Sequence, residues 1–132
     1  MDWLTKDQIL EADDIQEETV AVPEWGGKLL VRGLTGSERD DFEATLQRGK
    51  GTNKELNLRN ARAKLVMWSV VHPTTRERLF SEQDVRRLGQ KSAAALQRVF
   101  DVATRLSGLS KDDLDEMTEN FEDGQSDDST SG

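Results

Sequence analysis

Apolar residues recur three and four positions apart through the later part of the chain, and at every second position near its start. Leu96, Val99, Phe100, Ala103 and Leu106 keep the i, i+3, i+4, i+7 rhythm of one buried helix face, which predicts a helix over about 92–107. Gly108 is placed to end it with a left-handed residue. Leu58, Ala61, Leu65 and Trp68 form a second stripe from about Glu55, widened by Val66 and Val70. Pro73 stops that helix near His72, because proline disfavours helical backbone in the residue before it. Phe42 and Leu46 give a third helix a narrower face, and the basic loop "RGKGTNK" follows it.

Helix starts are marked independently of these stripes. Thr5 and Gln8 have the spacing of a capping box, with Leu4 and Ile9 as the hydrophobic staple around it. Ser81–Asp84 repeats the theme with Phe80 and Val85, and Ser110–Asp113 with Leu109 and Leu114. Thr35 and Glu38 make a fourth start, without an apolar staple because Arg39 occupies the position. Two extended stretches precede the helices. "ETVAV" alternates, with Val20 and Val22 on one side; "KLLVRGL" puts Leu29 and Val31 on one face and Leu30 on the other. The connection "PEWGG" between them predicts a β-hairpin near Glu18–Leu34.

The fold class expected is therefore α+β and mostly α-helical, an N-terminal β-hairpin followed by about four helices. An acidic segment with a short amphipathic helix occupies 1–17, the hairpin and helical domain 18–109, and an acidic C-terminal helix 110–123. Residues 124–132 contain no apolar side chain and are expected to form a disordered tail.

Charge adds a feature that periodicity does not show. The net −8 of the 132 residues is segregated. Residues 1–18 carry seven acids against Lys6, residues 19–109 carry sixteen bases against ten acids, and residues 110–132 carry nine acids against Lys111. Acidic ends around a basic middle either solvate the protein or lie across its basic body. The basic middle admits a nucleic-acid reading through Arg59, Arg62 and Lys64 on one helix and Arg48, Lys50 and Lys54 around the loop. With no tyrosine, no aromatic RNA-binding motif and no helix-turn-helix pattern, that reading is the alternative one: a small non-enzymatic interaction or regulatory module that binds nucleic acid or a host protein through the basic middle.

Candidate chemistry is sparse. Gly27-Lys28 is followed by Leu29, and "GKGTNK" has Lys54 where a dinucleotide loop needs glycine, so neither phosphate-binding pattern is met. There is no cysteine, and a single histidine would leave a zinc site almost wholly to carboxylates. "DLDEMTENFED" lacks calcium-loop spacing. His72 reads as a cation against the last carbonyls of its helix. No enzyme, cofactor or metal is expected. The longest apolar run, "LVMW", is too short to span a bilayer, and the first residues do not have the basic-then-apolar order of a signal peptide.

The tryptophans are the better lead. Trp68 belongs to its helix stripe and is expected in the core. Trp3 and Trp25 fit either a satellite core or a partner contact, since exposed indoles make good interface anchors. The two long stripes can cover each other and one face of the hairpin. That leaves a surplus at the N-terminus, and Trp3, Leu4, Ile9, Leu10 and Trp25 are the candidate partner-binding residues.

The ordered pattern "VPEWGGKLLVRGLTGSERDDFEA", "NARAKLVMWSVV" and "RLFSEQDVRRLGQKSAAALQRVFDVATRLSGLS", with an acidic tail, resembles the tail assembly chaperones of long-tailed bacteriophages, in particular those of actinobacterial phages and prophages. The resemblance runs from about Leu4 to Leu114 and carries no active site. It implies a protein that coats the helical tape measure protein before the tail tube polymerises around it, acting in the host cytoplasm and absent from the finished virion. It also implies a frameshifted, C-terminally extended form that reaches tube subunits, of which this chain would be the short form. Self-association through the partner surface stays open.

Overall fold

The computed structural model describes residues 2–48, 55–56 and 60–109. Helix α1 (Lys6–Glu11) leads into strand β1 (Glu17–Val22), a 3-10 turn (Pro23–Trp25) and strand β2 (Gly27–Arg32). Helix α2 (Gly36–Thr45) follows, then the two-residue strands β3 (Gln47–Arg48) and β4 (Glu55–Leu56), which pair with each other. Helix α3 (Ala61–Ser69) runs into strand β5 (Val70–Val71), and a 3-10 turn (Glu82–Asp84) opens the short helix α4 (Val85–Leu88) before α5 (Ala93–Leu106).

The expected hairpin is present. β1 and β2 are antiparallel, with Val20 opposite Leu29 and Val22 opposite Gly27. The turn residue that matters is Gly26, whose φ of 77° lies in the left-handed region that glycine enters without a Cβ penalty. The hairpin is not alone, however. β5 adds to the free side of β2, with Leu30 opposite Val71 and Val31 opposite Val70, so the sheet order is β1-β2-β5. Val70 and Val71 are therefore a strand and not the last turn of α3.

The other helix boundaries follow their local chemistry. Capping boxes close on α1 (Thr5 with Gln8) and on α2 (Thr35 with Glu38), and in the turn before α4 the Asp84 carboxylate accepts from the N–H and hydroxyl of Ser81. Ser92 caps α5, its Oγ accepting from the N–H of Ala95 at 3.2 Å. At the other end Gly108 has φ 72°, and Leu109 N–H donates to Thr104 O while Gly108 N–H donates to Arg105 O. This is a Schellman closure, and Leu109, its apolar partner, is buried. The expected helix at 110–123 and the tail at 124–132 lie outside the described residues. α3 starts at Ala61, after Asn60 in the left-handed region (φ 61°), and not near Glu55, which is in β4.

The core lies where α3 and α5 pack together and α5 covers one face of β1 and β2. Val20, Val22 and Val31 from the sheet meet Phe42, Leu46, Leu65, Val66, Leu96, Val99 and Ala103 from the helices, all buried. Trp68 joins them, with the Arg78 guanidinium 3.7 Å from its ring centroid. Phe100 departs from the expected stripe. It is half-buried at the margin of the cluster, beneath the Arg62 guanidinium.

Candidate functional site

Among the described residues, nothing covers the helix of the N-terminal arm. Thr5 Oγ1 accepts from Gln8 N–H at 3.2 Å and Gln8 Oε1 accepts from Thr5 N–H at 2.9 Å, so both ends of the capping box are closed. Yet α1 has no buried residue. Trp3 is 97% exposed, Leu4 71%, Ile9 55% and Leu10 73%. Six residues are well below the length at which a helix in water holds itself together. Its caps define the helix, and none of its apolar side chains is buried.

Trp25 is placed differently. It sits in the turn at the other end of β1, half-buried and packed against the core. The structure thus separates the five sequence candidates into four exposed side chains on the arm and one indole that is partly satisfied by the fold. Leu79 is a further exposed large apolar residue that periodicity did not single out. It lies in the loop after β5, where its N–H donates to Val70 O, and no helical or alternating pattern surrounds it.

The basic middle is largely committed to the fold. Glu17 pairs with Arg76, Glu18 with Arg105 and Glu24 with Arg98, linking the hairpin to the β5 loop and to α5. Glu38 accepts two bonds from Arg32, at 2.8 and 2.6 Å, and a third from Arg78 at 3.1 Å. Hydrogen bonding from Arg32 holds the Glu38 carboxyl at about 2, far below its ordinary value, helped by the N–H of Thr35 and by Arg78. Arg98 does the same to Glu24, also at about 2. Of the residues that could have read phosphates on α3, Arg62 donates to Gln97 and Lys64 donates to Thr45 O. The side chains of Arg48, Lys50, Lys54 and Arg59 lie outside the described residues.

His72 does not cap a helix. α3 ends three residues earlier, and His72 Nδ1 accepts from the backbone N–H of Thr74 at 3.1 Å and of Thr75 at 3.4 Å. The imidazole holds a turn as an acceptor, the opposite of the cationic role expected from sequence. Among the described residues there is no group of three or more His, Cys, Asp or Glu able to hold a metal ion, and no helix long and apolar enough to cross a membrane.

The described residues thus combine an exposed apolar arm with a body stitched by ion pairs. No curated protein matches the chain. Its fold is similar to that of the bacteriophage HK97 tail assembly chaperone, with a TM-score of 0.52 and 21% identity over 76% of this chain and 94% of that one. The family model for phage tail assembly chaperones matches residues 5–123, which includes α1 to α5 and the sheet. The chain belongs to the phage tail assembly chaperone family.

Proposed function

We propose that this chaperone binds the tape measure protein of a phage tail and keeps it soluble until tube subunits replace it. The observation that carries the reading is the arm: four large apolar side chains are exposed, Trp3 and Leu4 just before a capped helix and Ile9 and Leu10 on it. A free tape measure is a long helical protein with apolar stripes, and an amphipathic helix laid against such a stripe covers both surfaces. Fully burying a side chain of Leu or Ile size contributes about 1.5–3 kcal/mol, so a few contacts of this kind give useful but reversible affinity. Reversibility suits a protein that must leave as the tube grows. The site of action is then the host cytoplasm during infection, with the chaperone absent from the finished virion. Self-association through the same arm would hide it until the client arrives.

The nucleic-acid reading loses support from the ion pairs. Arg32, Arg39, Arg76, Arg78, Arg98 and Arg105 are bound to carboxylates of the same chain. Co-expression with a tape measure fragment tests the proposal. A fragment that aggregates alone should become soluble and co-purify with the chaperone. A fragment that remains in the pellet at a severalfold excess of chaperone would overturn it.

A further inference from the structure

The arginines of the sheet side are matched by carboxylates, and those of one corner are not. Val85 and Leu88 of α4 turn towards the core, which sends Arg86 and Arg87 outward, and Lys91 is exposed just before the cap of α5. No acidic residue occurs between Asp84 and Asp101. Asp84 itself is taken up by Ser81, whose N–H and hydroxyl both reach its Oδ2. Among the described residues Arg86, Arg87 and Lys91 make no ion pair. Glu17 and Glu18, from the acidic N-terminal end, already pair with Arg76 and Arg105 of the basic body. These two carboxylates of β1 thus lie on the body, and among the described residues a basic corner is left over.

We propose that the acidic C-terminal segment, residues 110–132, docks in cis on the corner formed by Arg86, Arg87 and Lys91. The chemistry is complementary: the segment carries nine carboxylates against one lysine, and the corner carries three cations that make no ion pair among the described residues. The tether also fits. The segment leaves the body after Leu109, at the C-terminal end of α5, and the corner lies at the N-terminal end of the same helix. Fourteen helical residues span about 21 Å, which seven or so extended residues cover at about 3.3–3.6 Å each. Residues beyond about 117 can therefore sit on the corner, and Glu119, Glu122, Asp123, Asp127 and Asp128 are all in that part. Each exposed pair is weak, but the tether supplies a millimolar local concentration, so the contact forms while remaining open to competition by an anionic partner. This surface is separate from the N-terminal arm, and its test is independent of the client.

The absence of cysteine allows a single spin label at Ser126→Cys in the full chain. A free tether would concentrate paramagnetic broadening around the end of α5, near Gly33 and Leu34, within its coil reach of about 5–6 Å × √n. Docking adds a second focus at the amides of 86–91, with signals there weaker than at Lys28. High salt, about 1 M, should remove that focus. Arg86→Glu, Arg87→Glu and Lys91→Glu together should remove it too, and if that variant folds poorly the salt arm on the labelled parent still decides. A focus that is absent, that survives the charge reversal, or that arises only between labelled and unlabelled chains overturns the proposal. Binding of a DNA duplex to the corner of the intact chain at physiological salt would overturn it as well, by assigning the corner to phosphate.

Discussion

Gly33→Ala separates close packing from mere turn preference at the point where the sheet hands over to α2. Gly33 is buried, its N–H donates to Gln16 O at 2.9 Å, and the next N–H, of Leu34, donates to Ser107 Oγ at 3.0 Å. A Cβ at Gly33 would stand 2.3 Å from Leu106 O and 2.9 Å from Leu106 C, both backbone atoms at the end of α5. Ordinary contact requires about 1 Å more, and two hydrogen-bonded backbone segments in a packed interior resist such a shift. Overpacking of this kind costs on the order of 1–3 kcal/mol, with more if the Leu34–Ser107 bond is lost. At about 4–8 °C per kcal/mol for a domain of this size, Tm should fall by at least about 5 °C. Gly36→Ala, three residues on, is the matched control. Nothing lies within 4 Å of its Cβ position, and it is the first residue of α2, so the change should be neutral or stabilising by up to about 1 kcal/mol. Thermal unfolding by circular dichroism reads both. If Gly33→Ala melts within about 1 °C of Gly36→Ala, the two backbone segments do not meet as described and the packing argument fails.

Phe42→Ala, at a fully buried position, should cost on the order of 3–5 kcal/mol in a urea titration, and a loss below about 1 kcal/mol would show that α2 is not part of the core. Glu38 has a folded value of about 2, below its unfolded one, so its contribution is present above the ordinary carboxylate range and is lost as pH falls towards 2. Glu38→Gln keeps a capping-box residue but removes the charge, so its Tm deficit at pH 7 should shrink in step with acidification; a deficit independent of pH would contradict the ion-pair account. The intact chain should not be retained on DNA at physiological salt, because its paired arginines and acidic ends oppose phosphate; micromolar retention there would overturn that expectation.

What sequence revealed and what it hid divide along the range of the interactions. The capping boxes at Thr5 and Thr35, the stripe from Leu96 to Ala103 and the closure at Gly108 depend on residues a few positions apart, and each was legible. Strand β5 was not, because Val66 and Val70 also have helical spacing and only the edge offered by β2 decides between helix and strand. Phe100 fits the helix rhythm but is half-buried at the rim of the core, with the Arg62 guanidinium of α3 over its ring. The ion pairs Glu17–Arg76 and Glu18–Arg105 join residues far apart in the chain, and no local pattern announces them. For the candidate site the surplus argument found the exposed residues of the arm, since it counts what the other stripes can cover. It could not tell that Trp25 packs half-buried against the core while Trp3 is left bare.

The central claim is that the arm holds the client, and a binding titration of a soluble tape measure fragment against paired variants tests it most directly. Trp3→Ala with Ile9→Ser removes two exposed apolar side chains from a segment that buries none, so Tm should stay within about 1–2 °C of the parent. Each lost contact at a helix-in-groove interface is worth about 1–2 kcal/mol, and the pair should weaken Kd by at least about tenfold. A folded variant that binds the fragment as tightly as the parent would contradict the account.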